Sequence, residues 1–172
     1  MMANTSNGAS DHAGDSRWSP DNGDTTIKIT ANLNTLLADV FTLYLKTKNF
    51  HWHMSGPHFR DYHVFLDDQA EQLLATTNAI AGRVRKIGGN TLRSVPDIMR
   101  LARLTGNEAD MVAPSLMLAE LLSDNERLAG FMREAHVICG GVDDVASMSM
   151  IENWLDEAET RVWFLFECGR KA

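Results

Sequence analysis

Apolar residues recur along most of the chain at the three- and four-residue spacing of amphipathic helices. The four resulting stripes cover about residues 30–53, 59–87, 115–139 and 143 onward. A Ser-Gly-Pro-His segment separates the first two stripes, and pairs of glycines end the second and the third. Asp143 and Asp144 precede the fourth, where acidic residues suit a helix N-terminus. The pattern therefore predicts four long helices.

The connection between the second and third helices, residues 90–114, is long enough to contain a short helix. Ser94 or Asp97 lies near the start of this segment. No stretch of the chain alternates apolar and polar residues in the manner of a β-strand. We therefore predict an all-α fold, a ferritin-like four-helix bundle over residues 29–172, with a short helix in the crossover between helices two and three.

Residues 1–28 differ in composition from the rest of the chain. They are rich in Gly, Ser, Asn and Asp, and Trp18 is their only large aromatic residue. Such a segment cannot bury enough apolar surface to offset the entropy of ordering it. We expect a flexible N-terminal tail, whose four acidic and two basic residues give a net charge of −2.

Charge and composition exclude several classes of protein. The 172 residues carry a formal charge of −7, which argues against wrapping of nucleic acid by a broad basic surface. No apolar run approaches the ~18 residues of a membrane span, and the N-terminus lacks the apolar stretch of a secretory signal. Cys139 and Cys168 cannot form a disulfide framework, so we expect reduced thiols and a cytoplasmic protein.

Histidines are concentrated between positions 51 and 63, and helix geometry separates their roles. His51 follows Leu33 by 18 residues, five full turns, and so lies on the inward stripe of the first helix. His53 is about 200° around the helix from His51, so the two cannot share a metal ion. His58 falls in the break. His63 and Asp67 are i, i+4 neighbours that can hold one ligand together.

Each of these residues also has an ordinary structural interpretation. His51 can be a hydrogen-bonded core histidine, and His63 can form a simple ion pair with Asp67, while His53 and His58 suit the surface. The di-iron bundle motif needs Glu-x-x-His on two helices, but the third helix offers only Glu134-Ala-His136. An iron site inside a single bundle is therefore unsupported, which leaves a site at a subunit contact.

Several segments together resemble one family. Residues 49–59 and 62–69 contain a His-Trp pair followed twelve residues later by His-x-x-x-Asp. This signature, with residues 83–89 and 152–159, resembles the Dps family of miniferritins, and the match extends over about 30–168. The resemblance implies a hollow twelve-subunit bacterial shell that oxidises Fe(II), often with hydrogen peroxide, and stores ferric iron. Some members also bind DNA through basic tails.

The resemblance also implies a ferroxidase site at a two-fold interface. One subunit supplies His51, His63 and Asp67 as the catalytic and metal-binding residues. The other supplies an Asp and a Glu, but at these two positions the chain has Asn78 and Gly82. The ~22 Å between positions 63 and 78 of a helix explains why two chains are needed. Half of the expected site is present, and its opposing carboxylates are missing.

Two functional hypotheses follow. In the first, the protein is an iron-oxidising and iron-storing enzyme in which Trp52 lies close to the site. In the second, it is a structural shell whose site is impaired, inactive or holds zinc. A variant of the second is a mixed shell completed by a paralogue that carries the missing acids. The acidic tail argues against DNA as a partner in both hypotheses.

Overall fold

In the computed structural model, which describes residues 23–170, the chain forms five α-helices. They are α1 (Gly23–His53), α2 (Phe59–Lys86), α3 (Val95–Leu101), α4 (Pro114–Gly140) and α5 (Val145–Gly169). No strand occurs in this part of the chain. The predicted all-α fold is confirmed, including the short helix in the crossover. Among the described residues, no helix has both the length and the apolar character needed to cross a membrane.

The start of α1 differs from the prediction. The helix begins at Gly23, so residues 23–28, which we had assigned to the tail, are helical. The helix extends N-terminal to the apolar stripe, whose first buried residue is Ile29, and the preceding turn shows no apolar periodicity that would reveal it in the sequence. Residues 1–22, the remainder of the predicted tail, lie outside the described residues.

The four long helices pack as two hairpins around one apolar core. α1 packs against α2, α4 packs against α5, and α1 joins the hairpins by its contact with α4, whereas α2 and α5 touch only slightly. Gly56, with φ +97°, allows the sharp turn between α1 and α2. The fully buried large side chains are Phe50, Leu33, Leu36, Leu37, Leu43, Leu66, Leu73, Ile80, Leu121, Leu128, Met132 and Ile151.

Local capping interactions agree with the predicted helix ends. Ser94 caps α3 by accepting a hydrogen bond from the backbone N–H of Asp97. Asp144 caps α5 by accepting from the N–H of Ser147, and Arg83 at the end of α2 also donates to the Asp144 carboxylate. Two of the long helices are thereby joined at one end of the bundle.

The interior of the bundle contains two buried cations. The ammonium of Lys46 on α1 contacts Asp124 at 2.6 Å and Glu120 at 2.7 Å on α4. Arg161 on α5 donates to the Asn125 side chain at 2.8 Å. A di-iron bundle instead directs carboxylates and histidines inward around its metal ions. These cations support the expectation that iron does not bind inside the single bundle.

A buried aspartate fastens the crossover to α1. Asp39 is fully buried and accepts hydrogen bonds from the backbone N–H groups of Arg103 and Leu104. The guanidinium of Arg103 also contacts the same carboxylate at 2.7 Å. This single side chain thus satisfies two backbone donors of the segment that follows α3.

We expect Asp39→Ala to lower the free energy of unfolding by about 3 kcal/mol, since it leaves buried backbone donors and a guanidinium without their acceptor. The matched control is Glu159→Ala, which removes an exposed pair with Arg133 and should cost less than about 1 kcal/mol. Chemical denaturation followed by circular dichroism measures both. Equal losses for the two variants would contradict an anchoring role for Asp39.

Candidate metal centre

The turn between α1 and α2 brings His51 and His63 together. His51 lies in the last turn of α1, and His63 lies in the second turn of α2. Their imidazole rings are stacked, with centroids 3.8 Å apart and planes inclined by 21°. Phe59 packs beside His63 with its ring centroid at 5.0 Å. The two histidines that the sequence placed on different helices therefore form one compact pair.

Reciprocal hydrogen bonds fix the chemistry of the pair. The Nδ1 atom of His51 is 2.7 Å from the carbonyl oxygen of His63, and the Nδ1 atom of His63 is 2.9 Å from that of His51. A carbonyl oxygen only accepts, so each Nδ1 carries the proton and donates it. Both Nε2 atoms consequently keep a free lone pair. Such outer hydrogen bonds are how proteins orient histidine ligands toward a metal.

Asp67 lies beside the pair and is held by a lysine. The Nζ atom of Lys48 is 2.6 Å from Oδ1 of Asp67, and Nε2 of His51 is 3.9 Å from the same oxygen. The hydrogen bond from Lys48 lowers the pKa of the Asp67 carboxyl, against a smaller opposing effect of burial. Among the described residues, Asp67 forms an ion pair with Lys48, whereas the Nε2 atom of a neutral His51 only lies near it, and no ion pair joins His63 to Asp67.

This arrangement offers three groups that can act as metal ligands. Two imidazole nitrogens and one carboxylate suit Zn²⁺ with an open position or Fe(II) with added water. Within residues 23–170, no three His, Cys, Asp or Glu side chains come close enough to hold a metal ion together. The Lys48 ammonium holds the Asp67 oxygen that a metal cation would use. A metal ion at these three residues would have to displace Lys48 from Asp67.

The other half of the expected site lies farther along α2. Asn78 is exposed, and a side chain at Gly82 would meet no atom within 4 Å. The nearest acids do not compensate within the chain. Asp68 lines a pocket between α2 and α5 beside Phe65 and Arg161, and Glu71 is exposed. Neither carboxylate pairs with His51 or His63 in the described structure.

Comparison with known proteins assigns the family. The model of the ferritin-like domain family matches residues 30–168. A low temperature-induced protein of Nostoc sp. is 34% identical over 135 residues, which cover 77% of this chain and 75% of that protein. A DNA protection during starvation protein of Brevibacillus brevis is 27% identical over 136 residues, with coverage of 77% and 89%.

Solved structures agree on the fold. DpsC from Streptomyces coelicolor superposes with a TM-score of 0.86 at 24% identity, covering 90% of this chain and 91% of that one. Dps from Thermosynechococcus elongatus gives a TM-score of 0.83 at 22% identity, with coverage of 86% and 94%. The chain belongs to the Dps family of ferritin-like proteins.

In this Dps chain, the remaining histidines of the cluster face solvent as predicted. His53 is exposed, and its Nδ1 lies 2.8 Å from the Asn49 carbonyl of its own helix. His58 is exposed at the N-terminus of α2 and packs only against Tyr62. Trp52 is 58% exposed directly beside His51. Neither His53 nor His58 joins the stacked pair.

The sequence analysis missed Lys48, although it determines the state of Asp67. The sequence does contain a signal for this contact, because Lys48 precedes His51 by three residues and so lies on the same face of the helix. The Nζ atom also lies 5.8 Å from the centroid of the Trp52 ring, which helps to hold the ammonium over the site. Lys48 is therefore the main local competitor of a metal ion in this Dps chain.

We expect Lys48→Met to raise the affinity for Zn²⁺ at least several-fold, because the metal ion then no longer has to displace an ammonium group from Asp67. The pKa of Asp67 should also rise, so the gain shrinks as the pH falls through the range of that carboxyl. Isothermal titration of the iron-free protein with Zn²⁺ near pH 7 measures it. Lys28→Met, an exposed change on the same helix, is the control. Equal affinities in both variants would refute competition by Lys48.

Proposed function

We propose that this Dps protein is the subunit of a closed shell that binds Fe(II), oxidises it with hydrogen peroxide and stores ferric iron, protecting the cell against oxidative damage. The observation that carries the proposal is the stacked pair of His51 and His63, whose two Nε2 atoms are free beside Asp67. Relatives named for DNA protection during starvation support it. So does the fold shared with a Vibrio cholerae Dps described as ferritin-like diiron-carboxylate.

The geometry of α2 makes the proposed site a shared one. Positions 67, 78 and 82 lie about 40°, 60° and 100° around the helix from His63, so all four occupy one face. Two antiparallel copies of α2 place the histidine end of one subunit against the Asn78 and Gly82 end of the other. Iron is the substrate there, held by His51, His63 and Asp67, and water completes its coordination.

The missing carboxylates determine the proposed rate. Asn78 offers a neutral carbonyl, and Gly82 offers no side chain. Fe(III) gains more than Fe(II) from nearby negative charge, so the absence of two carboxylates disfavours the oxidised product most. We therefore propose weak single-metal occupancy and slow oxidation in the homomer.

A second candidate function rests on the same two residues. If Asn78 and Gly82 abolish oxidation, the protein is a structural shell whose site is inactive or holds zinc. In a mixed shell, a paralogue with the usual Asp and Glu would complete the half-site of this chain. The two candidates differ in the oxidation rate of the homomer and in its response to the partner.

Further aspects of the proposal follow from the sequence. The acidic tail has no cluster of bases, so we propose that the protein does not bind duplex DNA through it. We also propose that the chain consists of an N-terminal tail and a bundle domain. The same proposal places the protein in the cytoplasm. None of these depends on the state of the metal site.

The exposed apolar surface leads to a prediction about assembly. Several large apolar side chains are exposed around the histidine face, including Trp52, Phe59 and Val64 at 58%, 45% and 51%. Such surface on a 19.1 kDa chain is typical of an interface. We expect a closed shell, with twelve subunits by family resemblance, in light scattering at micromolar protein and neutral pH. A mass of one or two subunits would contradict it.

Restoring the carboxylates is the second prediction. We expect Asn78→Asp with Gly82→Glu to raise the rate of Fe(II) oxidation by peroxide at least several-fold. The open space around Gly82 accepts the new side chain, and glutamate is the better helix former. Stopped-flow absorbance of the ferric product measures the rate in assembled protein. Asn153→Asp, which adds a charge on the exposed face of α5, is the control.

The outcomes separate the two candidate functions. Slow but measurable oxidation by the native homomer, accelerated by the double change, supports the enzyme. Oxidation that appears only in the double variant supports the structural shell. Rapid oxidation by the native protein, with no gain in the double variant, would show that the missing carboxylates are not needed.

A further inference from the structure

Arg161 is a buried cation without a counter-ion. Its residue is 2% exposed, and among the described residues no carboxylate lies within ion-pair distance of it. Its Nε donates to Asn125 at 2.8 Å, and Nη1 makes only a long 3.5 Å contact to Gln72. Burial lowers the pKa of Arg161 to about 10, with Glu157 partly opposing, so the guanidinium remains charged at neutral pH.

The other buried cation of the bundle shows what is missing. Lys46 is 3% exposed and contacts two carboxylates, Asp124 and Glu120. An unpaired buried charge is strongly unfavourable, and proteins normally neutralise it or pair it. By this standard Arg161 lacks one negative partner that the described chain does not supply.

The nearest acids are directed elsewhere. Glu157, one helical turn before Arg161, is exposed, and its carboxylate lies 3.5 Å from the hydroxyl of Thr76. Asp68 is exposed and only lines the rim of the space beside Arg161. The space that Arg161 helps to line is therefore not filled by a carboxylate of the described residues.

That space is a pocket of about 160 Å³ between α2 and α5. Arg161, Gln69, Gln72 and Thr160 contribute its polar groups, and the stacked rings of Phe65 and Phe164 form an apolar wall. About 10–15 Å³ of such space holds one water molecule, so the pocket has room for a small polyatomic ion.

Gln69 supplies the second, independent indication of a ligand. It is 4% exposed, lines the same pocket, and its side-chain oxygen has no hydrogen-bond partner. Buried polar atoms in proteins nearly always have a partner. A ligand that satisfies both residues must carry negative charge toward Arg161 and donate a proton to the oxygen of Gln69.

We propose that the pocket between α2 and α5 binds a small oxyanion that retains a hydroxyl group, of the hydrogen-phosphate class. Its charged oxygens accept from the guanidinium of Arg161, and its hydroxyl donates to Gln69. Charge-assisted hydrogen bonds of arginine with phosphate are strong and directional. The site is separate from the histidine pair, and its occupancy does not depend on iron.

The test uses the assembled, iron-free protein and inorganic phosphate. Equilibrium dialysis with labelled phosphate at constant ionic strength should show saturable uptake of one phosphate per subunit. The temperature of the unfolding midpoint should rise with phosphate along the same saturation curve. Sulfate, which has no hydroxyl near neutral pH, should bind at least several-fold more weakly.

Variants assign the uptake to the pocket. Gln69→Met keeps the size of the side chain and removes its oxygen, so phosphate affinity should fall at least several-fold. Arg161→Gln should abolish uptake. The control is Arg133→Gln, which changes an exposed arginine on α4 and should leave uptake unchanged. Gln69→Met replaces one buried neutral side chain by another of similar size, so it removes no buried charge. It therefore tests the site even if Arg161→Gln fails to fold.

Three results would overturn the proposal: no saturable uptake by the native protein, equal affinity for sulfate and phosphate, or native affinity in Gln69→Met. Because no iron is present, these results are independent of the oxidation rate.

Discussion

A straight helix keeps its two ends apart, and this constraint governs the metal chemistry of the protein. The 28 residues of α2 extend about 42 Å, with His63 and Asp67 near the start and Asn78 and Gly82 toward the end. No movement within one bundle can bring these ends together. The proposed chemistry therefore depends on a second subunit, and in that proposal the apolar surface around the histidine face is as much a part of the site as its ligands.

The polar groups inside the bundle hold its helices together, whereas the candidate metal ligands lie at its surface. Inside, Lys46 and Arg161 occupy polar positions between the helices, and Asp39 fastens the crossover. The ion pairs of Lys46 and the hydrogen bonds of Asp39 hold the helices and the crossover together, and none of them uses a candidate metal ligand. At the surface, the hydrogen bonds between His51 and His63 prepare two nitrogens for a ligand while joining α1 to α2. Loss of iron binding therefore need not unfold the subunit.

The sequence predicted the helices well because burial follows helical periodicity. The start of α2 at Phe59 and the cap at Ser94 agree with the structure, whereas the first turn of α1 carries no buried apolar residue and was missed. The inward position of His51 was also predictable. Two contacts were not predicted: the hydrogen bond from His51 to the carbonyl of His63, and the ion pair of Lys48 with Asp67. Both depend on how two helices pack against each other, which the residue spacing along one helix does not specify.

The open space at Gly82 has an evolutionary consequence. A Cβ at that position would meet no atom of the described chain within 4 Å, so the bundle leaves room for a side chain to begin there. Asparagine and aspartate codons differ at a single base, and some glycine and glutamate codons do as well. Descendants of one gene can thus move between an acidic and a neutral interface by point mutation, with selection acting on iron handling while the architecture stays the same.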